Sequence, residues 1–208
     1  MNTNSKFINM TCDDYYENPV NIDNIKLSLF NPILFTLVVN NQKKDLLYTL
    51  KNNKNNINIQ DKDGDTPLHI AIFLCNYEIV KILLENGADT NIKDKYGQTA
   101  IHWLYFGIKD DDINKIIKLF EEKNINFSTI DNLGNTVLHI TLKQIIKFNT
   151  FLTIKHKIFI NKLKSLIPND IRNNENYSIT ELLEIIKFWL LIKKLYLNNQ
   201  VIIANTYG

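Results

Sequence analysis

Three of the four histidines share one context: His69, His102 and His139 each stand three residues after a threonine and five after a glycine. A histidine triplet could hold zinc, activate a water or carry a proton. Spacing argues against the metal. Zinc needs its ligands within about 2 Å of one centre, whereas equivalent side chains of packed helical units lie roughly 10 Å apart. The acidic run Asp110-Asp111-Asp112 is the other candidate for cation chemistry. An EF-hand loop, however, spreads its ligands over about twelve positions, ends on a bidentate Glu and has a glycine at the sixth. The run is expected in a solvated loop at a helix start, where negative charge suits the dipole. The sequence has no Gly-rich phosphate loop, nucleophile elbow or Cys/His cluster. It therefore offers no catalytic, cofactor or metal-binding residues, and an enzyme is not expected.

The elements that must position those histidines follow from an internal repeat. The stretch Asp63-Gly64-Asp65-Thr66-Pro67-Leu68-His69 returns as Tyr96-Gly97-Gln98-Thr99-Ala100-Ile101-His102 and again as Leu133-Gly134-Asn135-Thr136-Val137-Leu138-His139. Gly64 and Gly97 are 33 residues apart, as are His69 and His102. Glycine permits the positive backbone angle of a tight turn. Threonine next caps a helix, and Pro67 at the first helical position gives up only an N–H that would have been unpaired. Downstream, Ile79, Val80, Leu83 and Leu84 form the apolar face of a second helix. Asn86-Gly87 ends it with a left-handed cap, a slot that Asn124 fills in the next unit.

On these residues Asp61 to Lys93 resembles the ankyrin repeat almost throughout, including Gly87-Ala88-Asp89 and Asn91. The resemblance implies an all-α ankyrin-repeat solenoid of four to five helix-turn-helix repeats joined by hairpin loops. It also implies that the repeated histidine hydrogen-bonds within and between repeats. The third unit carries four extra residues, expected between Gly107 and Asp112. The fourth is longer still, through longer helices or a longer loop between Leu142 and Lys157. Upstream, Asn31-Pro32-Ile33-Leu34 and Leu46, Leu47 and Leu50 read as a degenerate unit; downstream, Asn176-Tyr177-Ser178-Ile179 opens another, with Ser178 and Glu181 as a capping box. The expected organisation is a tail or cap at 1–26, repeats at 27–60, 61–93, 94–130 and 131–172, and a degenerate repeat with a C-terminal cap at 173–208. Residues Leu182 to Leu197 are expected to form the capping helix, since stacked units need atypical ends.

Composition fits a folded chain: 208 residues, 45% hydrophobic and 22% charged, with a net charge of +2. The two cysteines, Cys12 and Cys75, are too few for a disulfide framework, and no apolar run reaches signal-peptide or membrane-span length. A soluble, intracellular monomer is expected, in the cytoplasm or, for a host-interaction protein, in a host cell. Residues 135–208 hold 10 basic and 4 acidic side chains. Within them the segment from Lys143 to Lys164 has six lysines and no acid, which would suit an anionic membrane or nucleic acid. The resemblance implies instead an adaptor or scaffold that binds a protein partner through its hairpin tips and concave surface. Carried onto this sequence, the tip residues are Asp63, Asp65, Lys95, Tyr96, Gln98, Asn132, Leu133 and Asn135. Tyr96 and Leu133 are the expected contact anchors.

Overall fold

The computed structural model describes residues 33–52, 57–107, 112–147, 154–191 and 194. Helices come in pairs: α1 (Ile33–Val39) with α2 (Lys43–Asn52), then α3 (Pro67–Phe73) with α4 (Tyr77–Glu85). A 3₁₀ helix (Ala100–Gly107) precedes α5 (Asp112–Glu122), and α6 (Val137–Lys147) precedes α7 (Ile154–Lys164). Residues 179–191 are again helical. Among the described residues extended pairing is confined to one isolated bridge, Arg172 with Ser178. The first members stack in one row, α3 lying between α1 and the 3₁₀ helix, and the second members in another, α4 lying between α2 and α5. The fold is a two-layered, all-α solenoid.

Local chemistry explains each helix end. Thr66 Oγ1 accepts the His69 N–H while the His69 ring accepts the Thr66 N–H, a reciprocal cap on α3 with Pro67 directly inside it. Asn76 caps α4 through the Ile79 N–H. At the far end the Gly87 and Ala88 N–H groups reach back to the Leu84 and Leu83 carbonyls, with Gly87 at φ +93°. Asn124 takes that left-handed role after α5 at φ +53°, as its position predicts. The apolar faces then meet between the layers. Ile79, Val80, Leu83, Ile116, Ile117 and Phe120 are fully buried, each such burial stabilising by roughly 1.5–3 kcal/mol.

Three features depart from the sequence reading or sharpen it. The first helix of the third unit is wound as 3₁₀ rather than α, with the His102 N–H on the Thr99 carbonyl. This tighter winding accompanies an aromatic wedge: Trp103 is buried, edge-on to His69, Phe73 and Phe106, and Phe73 and Phe106 meet at 5.1 Å. The expected insertion falls between the 3₁₀ helix and α5, where 108–111 lie outside the described residues. In the fourth unit α6 runs for 11 residues against seven in α3, so part of its extra length is a longer first helix. The expected tail or cap at 1–26 lies wholly outside the described residues. So do most positions of Leu182–Leu197 beyond 191; as far as it is described, that helix starts at 179 and stands where the first helix of a fifth unit belongs.

Candidate partner-binding surface

Each hairpin is tied by one side chain that the sequence reading passed over. Asp94 Oδ1 accepts the N–H groups of Tyr96 and Gln98, both at 2.8 Å, and Asp131 Oδ1 accepts those of Leu133 and Asn135 at the same distance. Asp61 does likewise for Asp63 and Asp65, and Asn173 for Tyr177. The Gly64, Gly97 and Gly134 N–H groups close the turns onto the carbonyls of the same aspartates. Recurrence was the available signal, because Asp61, Asp94 and Asp131 keep the spacing of the glycines.

Neighbouring hairpins are then stitched edge to edge. Lys95 N–H donates to the Asp63 carbonyl, Asn132 N–H to Tyr96 and Asn174 N–H to Leu133, at 2.9, 3.0 and 2.9 Å. The close approach explains the glycines a second time. A Cβ on Gly134 would come within 2.7 Å of Asn174 Oδ1, and one on Gly64 within 3.0 Å of the Asp94 Cα.

The three histidines form the inner seam. His69 Nδ1 accepts the Thr66 N–H at 3.1 Å, so Nδ1 is bare and Nε2 carries the proton to the Gln98 carbonyl at 3.3 Å. His102 bridges Thr99 to Asn135 in the same way, and His139 bridges Thr136 to Tyr177. Burial, which penalises the charged ring, holds His69 down at about 4 and lowers His102 and His139 too. Both nitrogens of each ring are committed to the backbone. Among the described residues no group of three or more His, Cys, Asp or Glu side chains could hold a metal ion.

The eight tip candidates divide. Lys95, Asn132 and Leu133 are exposed, Tyr96 is half-buried with the Lys95 ammonium 4.9 Å from its ring centre, and Asp63 pairs with Lys95 at 2.8 Å. Asp65, Gln98 and Asn135 are not at the tip: they are 5%, 2% and 4% exposed. The residue after the turn glycine runs back toward the helix cap, and the next hairpin stacks over it. Tyr177 occupies the same position in the last described hairpin and is 41% exposed. Ile130, at 45%, and Leu133, at 39%, are exposed apolar side chains on the preceding hairpin. Phe73, Tyr105 and Phe106, at the ends of the first helices, are half-buried.

In the lysine-rich segment, Lys143 pairs with Glu175 at 2.6 Å and Lys162 with Glu121 at 2.7 Å, and His156 is buried. Part of its charge is thus spent on ion pairs within the chain, and 148–153 lie outside the described residues. Among the described residues no helix is long and apolar enough to cross a membrane.

Comparisons with known proteins agree with this geometry. A family model for three copies of the ankyrin repeat matches residues 34–110. A protein named as an ankyrin repeat protein from Acanthamoeba polyphaga mimivirus is 37% identical over 84 residues, covering 40% of this chain and 11% of its own length. One so named from Fowlpox virus is 40% identical over 60 residues, covering 28% and 12%. Another, named as a serine/threonine-protein kinase from Dictyostelium discoideum, is 31% identical over 97 residues, covering 46% and 11%. The chain spans only about a tenth of the length of these relatives. Ankyrin repeats serve generally as protein–protein interaction modules. With the 33-residue spacing, the stitched hairpins and the histidine seam, the match identifies residues 34–110 as ankyrin repeats.

Proposed function

We propose that the chain is an intracellular adaptor that binds a protein partner along its hairpin row and the adjoining concave surface, acting as a monomer and without catalysis of its own. The carrying observation is a division of labour. Thr66, His69, His102, Asp131 and Asn135 are buried and hydrogen-bonded within the frame, while Lys95, Asn132 and Leu133 are exposed on consecutive hairpins with Tyr96 between them. Ile130 and Tyr177 extend this surface with apolar area, which suits the aromatic and apolar anchors that dominate protein interfaces. Cys75, buried and in no disulfide among the described residues, fits a reducing compartment. The two viral relatives are compatible with a host-interaction role.

The test is affinity capture from native cells followed by mass spectrometry, with the wild-type chain and a Tyr96→Ala/Leu133→Ala variant side by side. A partner enriched by the wild type and lost by an equally stable variant supports the reading. Equal capture by both would remove the hairpin row from consideration.

A further inference from the structure

In the middle of the array each second helix fills a slot made by its neighbours. α4 packs against α3 of its own unit and α2 of the unit before, and α5 against the 3₁₀ helix and α4. The helix at 179–191 stands as a first helix, and among the described residues no second helix follows it. Between it and α7 runs a groove of about 420 Å³. Ile160, Leu183 and Leu190 are its apolar lining. Ile154 and Leu191 continue the two lining rows by one helical turn, 77% and 54% exposed.

Charge gives this groove a sign. α7 carries four lysines and no acid. Lys162 is spent on Glu121, and on the facing helix Lys187 pairs with Glu184, the one acid in the lining. Lys157 and Lys164 line the groove as well, and among the described residues neither has an ion-pair partner. They stand seven residues apart on one face of α7, about 10 Å along its axis.

We infer that this groove takes an acidic amphipathic helix of a partner protein, on a surface separate from the hairpin row. The partner's apolar stripe covers Ile160, Leu183 and Leu190, and carboxylates at the spacing of Lys157 and Lys164 meet those two ammonium groups. A helix suits the slot because α4 and α5 fill its equivalents earlier in the array. An acidic occupant follows from the unpaired lysines, since complementary charge selects partners and like charge rejects them. A second copy of this chain would set the lysines of one α7 against those of the other. A phosphate backbone would leave the apolar lining uncovered, and a bilayer surface is too flat to reach into the groove.

Two stapled helical peptides with the same leucine stripe, one flanked by glutamates and one by lysines, are the probes, with fluorescence anisotropy against the full chain as the readout. At low salt the glutamate peptide should bind about tenfold more tightly than the lysine peptide, and added salt should narrow the gap. Lys157→Glu/Lys164→Glu should reverse the preference, while Tyr96→Ala/Leu133→Ala, on the hairpin row, should leave it as it was. Equal binding of the two peptides by the wild type would overturn the inference. So would a glutamate peptide that does not bind at all, the result if the chain's own residues 195–208 or a second copy fill the groove. Tighter binding of a DNA duplex or a phosphatidylserine vesicle, abolished by the same lysine reversal, would also overturn it. Should the lysine reversal not fold, Leu183→Ala takes its place: it should weaken the glutamate peptide, and unchanged binding would sink the assignment.

Discussion

Alanine at Gly97 and alanine at Gly87 place the same methyl group on two glycines of the same backbone type, with φ of +76° and +93°. An alanine there carries the left-handed strain of an L-residue, about 1–2 kcal/mol. Around Gly87 there is nothing within 4 Å of the new Cβ, so strain is the whole cost. At Gly97 the Cβ would meet the Asn132 side-chain carbonyl oxygen, stand 2.6 Å from its Cγ and 2.8 Å from the Asn132 backbone nitrogen. The exposed Asn132 side chain can swing away. Its backbone nitrogen can retreat only by pulling the fourth hairpin off the third, which sacrifices the 3.0 Å bond from Asn132 N–H to the Tyr96 carbonyl. Adding about 0.5–1.5 kcal/mol for that bond puts Gly97→Ala at about 1.5–3.5 kcal/mol.

Urea unfolding followed by circular dichroism separates the two cases. Stability in a stacked array is a sum of repeat and neighbour contributions, and Gly97→Ala strikes a neighbour contribution. It should lower the slope of the transition as well as its midpoint, whereas Gly87→Ala should move the midpoint alone. Asn132→Ala in the Gly97→Ala background should recover little, because the obstructing atom is backbone. Equal losses for the two alanines, or full rescue by Asn132→Ala, would refute the claim that the glycines are needed for hairpin stacking as well as for turn angle.

Replacing His69 with Gln keeps an acceptor for the Thr66 N–H but loses the bond to the Gln98 carbonyl, so urea unfolding at pH 7 should show a loss of about 1 kcal/mol. That deficit should shrink as the pH falls from 6.5 to about 4: over this window the unfolded wild type protonates His69 and the folded wild type does not, whereas Gln titrates in neither state. A deficit that grows with acid would mean that the folded ring is charged. Ser178→Ala removes the oxygen that accepts the Glu181 N–H at 3.2 Å and should cost about 1 kcal/mol in urea unfolding; no change would show that the 179–191 helix starts without this cap. Adding and then chelating zinc should leave the melting temperature where it was, since both nitrogens of His69, His102 and His139 already hold backbone groups.

The frame was legible in the sequence because each of its parts rests on local chemistry. A threonine three residues before a histidine, a proline at the first helical position and a glycine at a positive angle need no knowledge of the neighbouring repeat, and all three stand where the spacing puts them. What was not legible depends on the neighbour. Asp65, Gln98 and Asn135 sit one residue past the turn, and from their own hairpin alone they should be as wet as Tyr177, which has no described hairpin stacked beyond it. Stacking buries the first three and leaves Tyr177 open. The 3₁₀ winding of Ala100–Gly107 belongs to the same class, since it goes with Trp103 wedged against His69 and Phe73 of the preceding unit.

Selection of a binding surface must follow the same division. A residue is available to a partner only where the next repeat does not already occupy it, so exposure has to be read repeat by repeat and not from a consensus position. By that criterion the row runs through Lys95, Tyr96, Asn132 and Leu133 in the middle of the array and shifts to Tyr177 at its described end. Tyr96→Ala makes the point measurable. The hairpin is stitched through the Tyr96 carbonyl, which alanine keeps, so the variant should lose about 1 kcal/mol at most. Binding of a captured partner should weaken nonetheless. A Tyr96→Ala protein as unstable as Gly97→Ala would instead place the ring in the core and move the contact surface elsewhere.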